Sequence, residues 1–110
     1  MSVTAPKGFR ASGVAAGLKT GGLDVALVVN DGPQAAAAGV FTANRVKAAP
    51  VLWSQQVLRA GLVRAVVLNS GGANACTGPE GFQDTHATAE HAAAALGGIG
   101  AGDVAVCSTG

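Results

Sequence analysis

The sequence predicts an α/β fold, and three observations carry that expectation. Two apolar runs, "LDVALVVN" (Leu23 to Asn30) and "RAVVLN" (Arg64 to Asn69), have the length and β-branched content of buried strands. A third, "DVAVCSTG", reads as a strand that breaks off in Ser108-Thr109-Gly110. Between the last two lies a stretch from Gly78 to Leu96 of helical length, rich in alanine and closed by "GGIGAG". At 110 residues there is room for one domain or part of one, and a chain of this size buries roughly two-thirds of its surface on folding. Residues 1–110 therefore read as a single partial domain with no internal repeat or linker.

Taken in order, Gly8 to Gly17 is small and weakly apolar and reads as an irregular strand. Leu23 to Asn30 is a strong strand closed by the turn signal Asn30-Asp31-Gly32-Pro33. Ala35 to Phe41 has alanine propensity for helix, but Gly39, Val40, Phe41 and Thr42 pull it towards a strand, the reading favoured here. Pro50 to Trp53 looks like a short strand, after which Ser54 can cap a two-turn helix through Arg59 that ends at Gly61. Thr77-Gly78-Pro79-Glu80 has the spacing of a capping box, and proline in a first turn loses no intrahelical hydrogen bond. The helix it opens should place Phe82, Ala89, Ala93 and Leu96 inward, with side chains small enough for close packing on a sheet.

Composition excludes several classes of function. The chain is 49% hydrophobic and only 12% charged, against about 25% in an average globular protein, so disorder is excluded and a large buried interface is expected. Net charge is +1, the pI is near 7.8, and the seven Lys and Arg are scattered from Lys7 to Arg64, which leaves no footprint for nucleic acid or an anionic membrane. Mean hydropathy of +0.40 comes from dispersed Ala, Gly and Val, not from a run long enough to span a bilayer. Lys7 and Arg10 before Ala11 to Leu18 loosely imitate a signal peptide, but glycines and Ser12 interrupt the run. Cys76 and Cys107 form no CxxC pair, so reduced cytoplasmic thiols are expected rather than a disulfide framework.

The stretch "NSGGANACTG" (Asn69 to Gly78) is then a loop between a strand and a helix N-terminus, where α/β proteins hold ligands. It has neither GxGxxG nor a lysine after the glycines, which argues against nucleotide binding. A structural loop, with glycine supplying positive φ and asparagine making side-chain turns, fits it equally well. His86 and His91 stand five apart, on different faces of a helix, and read as surface residues rather than a metal pair. Cys76 has no evident base beside it and reads as a bystander thiol. Asp24, Asp31, Asp84 and Asp103 lack the spacing of paired catalytic carboxylates, and Trp53 reads as core.

Four segments carry more: "TAPKGFRASGVAAGLK" (Thr4 to Lys19), "AAGVFTANRVKAAPVLWS" (Ala37 to Ser54), "LNSGGANACTG" (Leu68 to Gly78) and "CSTG" (Cys107 to Gly110). Together, in order and with compatible spacing, they closely resemble the N-terminal part of the ornithine acetyltransferase family, the glutamate N-acetyltransferases of arginine biosynthesis. One position departs from the pattern: Gly72 stands where many members carry asparagine.

The resemblance implies the N-terminal part of a self-cleaving sandwich-type fold with mixed sheets and covering helices. It implies a precursor that cuts itself before a threonine into an α and a β chain, assembled as a heterotetramer of two of each. The new N-terminal threonine would attack N-acetylornithine and pass the acetyl group to glutamate, some members also accepting acetyl-CoA, with no metal or bound cofactor. In this chain Thr109 and Gly110 match the Thr-Gly pair of the family's oxyanion hole. The nucleophile and main substrate-binding residues lie outside these 110 residues, so the piece alone is expected to be inactive. A related self-cleaving amidase or aminopeptidase and a purely structural fragment are the alternative readings. The glycine loop resembles a family signature near the active-site layer and receives no chemical step.

Overall fold

The computed structural model describes residues 2–110. Its elements are β1 (Phe9–Val14), β2 (Val25–Asn30), α1 (Ala49–Val57), β3 (Ala65–Asn69), α2 (Gly78–Leu96) and β4 (Val104–Ser108), with single 3-10 turns at Leu58–Ala60 and Ala101–Asp103. The four strands form one mixed sheet in the order β1-β2-β3-β4. β1 and β2 are antiparallel, with Phe9 opposite Asn30 and Val14 opposite Val25. β2 and β3 are antiparallel, with Val29 opposite Ala65, whereas β3 and β4 are parallel, with Ala65 opposite Val104 and Asn69 opposite Ser108. A parallel pair needs a long crossover, and α2 supplies it.

Alternation along the strands sorts the sheet into two unlike faces. Val29, Ala65, Val67, Val104 and Val106 share the face under α2 and are all buried. On the other face Ala105 alone of the β2 to β4 side chains is buried; Ala26, Val28 and Val66 are half-buried, and Leu68 and Cys107 are exposed. α2 presents Gly81, Thr85, Ala89 and Ala93 to the core, a stripe at i, i+4 spacing that is small throughout. Ala89 and Ala93 are inward as expected, while Phe82 and Leu96 lie half-buried at the flanks. The smallest side chains face the sheet because they let the helix come closest.

Three local expectations are corrected. Pro50 to Trp53 is not a strand but the first half of α1, which starts at Ala49 with proline in its first turn, where no hydrogen bond is lost. The helix forms because Ala49, Trp53 and Val57, four apart, are all buried on one face. Ser54 is accordingly not a cap. Ala35 to Phe41 is not a strand either: it makes a single bridge, Ala36 to Leu62, fixed by Ala37 N–H to Gly61 O (2.9 Å) and Val63 N–H to Ala35 O (2.9 Å), and beyond it Val40 and Phe41 are exposed. Finally, α2 begins at Gly78 but without a capping box, because Thr77 has helical backbone angles (φ −105°, ψ −1°) and turns its hydroxyl to Asn74.

The Ser54 side chain has a different task. Its hydroxyl accepts from the Val106 N–H (3.0 Å) and donates to the Val106 carbonyl (2.9 Å), and Trp53 Nε1 donates to the Val104 carbonyl (2.9 Å). These are backbone groups on the outer side of β4, the last strand of the sheet. Helix α1 thus closes an edge that would otherwise leave buried peptide groups unpaired.

Candidate active site

Parallel strands β3 and β4 end together, and in α/β sheets the carboxyl end of such a pair is where ligands are held. The ladder continues one residue past β4, where Thr109 N–H donates to the Asn69 carbonyl at 3.0 Å. By alternation Thr109 lies on the same face as Ala105 and Cys107, the one α2 does not cover. It lines a cavity of about 230 Å³ with Gly13, Asp24, Ala26, Leu68 and Ser70. Thr109 and Gly110 are exposed.

The glycine loop wraps this strand end. Ser108 donates its hydroxyl proton to Asn69 Oδ1 (2.6 Å) and accepts from the Asn74 N–H (3.1 Å). The Asn74 amide in turn donates to the Gly81 carbonyl (2.7 Å) and to Thr85 Oγ1 (3.0 Å), while its Oδ1 accepts from Thr77. Thr85 is 2% exposed, so the loop is anchored into the core side of α2. Glycine at 81 is a requirement of that anchor, since a Cβ there would run into the Thr77 side chain and Asn74 Oδ1. Asn69, Asn74 and Ser108 also line a second cavity of about 410 Å³, bounded by Leu18, Asp84 and Thr88.

Asp24 holds the opposite wall. It is only 4% exposed, and its carboxylate accepts from the N–H groups of Ala16 (2.6 Å), Leu18 (2.7 Å) and Lys19 (3.1 Å). Those amides, Ala16 and Lys19 above all, hold the carboxyl below its ordinary pKa against the opposing effect of burial. The segment so fixed lies directly on Gly71, whose φ of +108° and lack of a Cβ admit the Leu18 carbonyl; a Cβ would sit 2.9 Å from it. The Asp24 main chain ties in as well, its carbonyl accepting from the Ser70 N–H at 2.9 Å.

Among the described residues the side chains of Cys76, Cys107 and His86 take no part in this hydrogen-bond network. Cys76 is exposed, with a left-handed φ of +56°, and Cys107 is exposed on the uncovered face, its thiol pKa pushed up by partial burial. His86 stacks on Trp53 (ring centroids 4.8 Å apart) and pairs with Glu90 at 2.9 Å, so it is a surface residue that also shields the indole. Among the described residues no three His, Cys, Asp or Glu gather to hold a metal ion, and no helix is long and apolar enough to cross a membrane. Asp24, Asn74 and Ser108 escaped sequence reasoning. Asp24 alone left a trace there, as a carboxylate placed between a glycine pair and a strand where polar residues are rarely buried.

Comparison with known proteins extends these observations. The model of the ArgJ family matches residues 10–110. The arginine biosynthesis bifunctional protein ArgJ of Streptomyces coelicolor is 75% identical over 111 residues, covering 100% of this chain and 29% of that protein. Its counterpart in Mycobacterium tuberculosis is 72% identical over 113 residues, covering 98% of this chain and 28% of that protein. Among solved structures, the M. tuberculosis ornithine acetyltransferase complexed with ornithine superposes with a TM-score of 0.96 at 72% identity, covering 98% of this chain and 58% of that one. The arginine biosynthesis bifunctional protein argJ of Bacillus halodurans gives a TM-score of 0.94 at 39% identity, covering 100% and 57%. The chain thus spans under a third of the length of the curated relatives.

Proposed function

Because this chain belongs to the ArgJ family, we propose that it is the N-terminal part of a cytoplasmic acetyltransferase that converts N-acetylornithine and glutamate into ornithine and N-acetylglutamate. In this reading a threonine of the remaining protein, freed as an N-terminus by self-cleavage, attacks the acetyl carbonyl carbon with its hydroxyl oxygen. The hydroxyl proton passes through the threonine α-amino group to the departing ornithine nitrogen as the amide C–N bond breaks, leaving an acetyl ester on the threonine. The glutamate amine then attacks the ester, the C–O bond breaks, and the threonine oxygen recovers a proton. Both steps pass through a tetrahedral oxyanion. The role of this chain is to hold that charge with the Thr109 hydroxyl and the Gly110 N–H.

The observation that carries this reading is that the Thr109 N–H to Asn69 O bond holds Thr109 at the carboxyl end of the parallel β3–β4 pair, on the sheet face that α2 does not cover. The uncovered sheet face of Ala26, Val28, Val66, Leu68 and Cys107 supports a second layer packed there, as a sandwich with a nucleophile-bearing β chain requires. Two such pairs would make the heterotetramer.

The test is Thr109→Ala in the complete enzyme. Loss of one oxyanion donor costs about 10² to 10³ in kcat with KM for N-acetylornithine within a few-fold, and Thr109→Ser should recover much of the rate. A near-normal kcat in folded, matured Thr109→Ala would remove the assignment. Transfer of acetyl to glutamate rather than to water separates the reading from an amidase.

A further inference from the structure

The oxyanion reading accounts for Thr109 and Gly110 but not for the polar chain behind them. Ser108 and Asn69 face each other in the β3–β4 ladder and are joined twice over: the Asn69 main-chain carbonyl takes the Thr109 N–H at 3.0 Å, and its side-chain Oδ1 takes the Ser108 hydroxyl at 2.6 Å. The same hydroxyl takes the Asn74 N–H at 3.1 Å, and Asn74 is fastened to Gly81 and to Thr85 in the core of the molecule. An unbroken run of hydrogen bonds therefore leads from the interior of α2 to the residue preceding Thr109. A strand end is ordinarily the place where a chain frays, and here it is pinned from both sides.

Resting on the oxyanion reading, we infer that Ser108 and Asn69 are positioning residues of this site: their side-chain hydrogen bond sets the direction in which the Thr109 hydroxyl and the Gly110 N–H point. Neither side chain touches the reacting atoms. Their contribution is to geometry, and misplacing a catalytic donor by about 1 Å can cost on the order of 10²-fold in rate. Ground-state binding depends little on that geometry, so the effect falls on kcat.

The experiment compares Ser108→Ala, Asn69→Ala, Thr109→Ala and the double variants in the complete enzyme, by steady-state kinetics per mole of folded protein with N-acetylornithine and glutamate. Ser108→Ala and Asn69→Ala remove the same bond from opposite ends. Each should lower kcat about ten- to a hundred-fold with KM within about two-fold, and together they should cost no more than the worse of the two. Ser108→Thr, which keeps the hydroxyl, should recover most of the rate. In a Thr109→Ala background the cost of Ser108→Ala should shrink to a few-fold, because one of the two donors it positions is gone and only the Gly110 N–H is left to orient. If Ser108→Ala does not fold, Asn69→Ala decides alone, since its main-chain carbonyl still takes the Thr109 N–H. A collapsed Thr109→Ala beside normal Ser108→Ala and Asn69→Ala overturns the positioning role and leaves the oxyanion reading standing, as does a full additive loss in the double variant. A near-wild-type Thr109→Ala overturns both.

Discussion

The two ends of the sheet are held by different chemistry. At the β4 end, Val104 and Ala89 are 0% exposed, Trp53 and Val57 are buried, and two helices close over the strand. At the β1 end, strand residues Arg10 to Val14 are exposed, and the surrounding loops are held by charge and hydrogen bonds: the Asp24 carboxylate on three amides, and Arg10 on Asp31 through contacts of 2.5 and 2.9 Å. Burial is non-directional and nearly indifferent to pH, whereas a carboxylate cradled by amides is directional and titrates. The site sits between the two regimes. Its floor, β4 and Asn74, is fastened to the buried half, and its wall at Ala16 to Lys19 belongs to the polar half.

Breaking the buried half should have the largest effect. Trp53→Ala empties a core position and strips the Val104 carbonyl of its donor, and we expect a loss of about 3–5 kcal/mol in urea unfolding of the complete protein. A loss under about 1 kcal/mol would mean that α1 is not part of the core. Ser54→Ala comes next, at about 1–3 kcal/mol, because the buried Val106 N–H and carbonyl both lose their partner. A neutral Ser54→Ala would show that the edge of β4 is satisfied by something else.

The polar half should respond to pH instead. Asp24 has its carboxyl pKa lowered in the folded state, so its stabilisation is fully present above the unfolded value of about 3.9 and is lost as pH falls through the lower folded value. The amide protons of Ala16, Leu18 and Lys19 should therefore shift together in an NMR titration with a midpoint below about 3.9, and Asp24→Asn should abolish that titration while sparing the resonances of Val104 and Ala89. Shifts that reach the buried half equally would dissolve the distinction. The smallest effect belongs to Arg10→Ala. Its ion pair with Asp31 is exposed on both sides, so the melting temperature should barely move, and what change there is should vanish at 1 M salt.

How much of this was legible in the sequence follows the same divide. Helix α2 was readable to the residue, from Pro79 at one end to Gly97-Gly98 at the other, and β2, β3 and β4 were readable to within two residues because their apolar runs are continuous. The second half of α1 and its end at Gly61 were legible as the helix expected from Ser54, but its first half was not, because "PVLW" is locally as good a strand as a helix turn; only the spacing of Ala49, Trp53 and Val57 reveals it, and that spacing gains meaning once β4 lies beneath. Thr109 and Gly110 are proposed on family likeness, not on any local signal. The roles of Ser54, Asn74 and Ser108 were invisible for a physical reason. Each bonds to a group far away in the chain, Ser54 to Val106 and Ser108 to Asn69, and a hydroxyl carries no mark of its distant partner.

The serine that closes β4 also gives the sheet a direction of growth. Ser54 offers β4 one acceptor and one donor on a single atom, the pair that a neighbouring strand would present, so a side chain stands where another chain's backbone would otherwise dock. Templated pairing with a foreign strand is barred at that margin without any charge being placed on it. The opposite margin is β1, and there the guard is of another kind: Arg10 projects a charge from its second position, and Gly13 weakens the pleat near its end. Among the described residues, Phe9–Val14 is the sheet margin that no side chain caps, and Arg10 is its charged guard; neutralising Arg10 would cost the fold almost nothing while lowering the barrier to strand addition there.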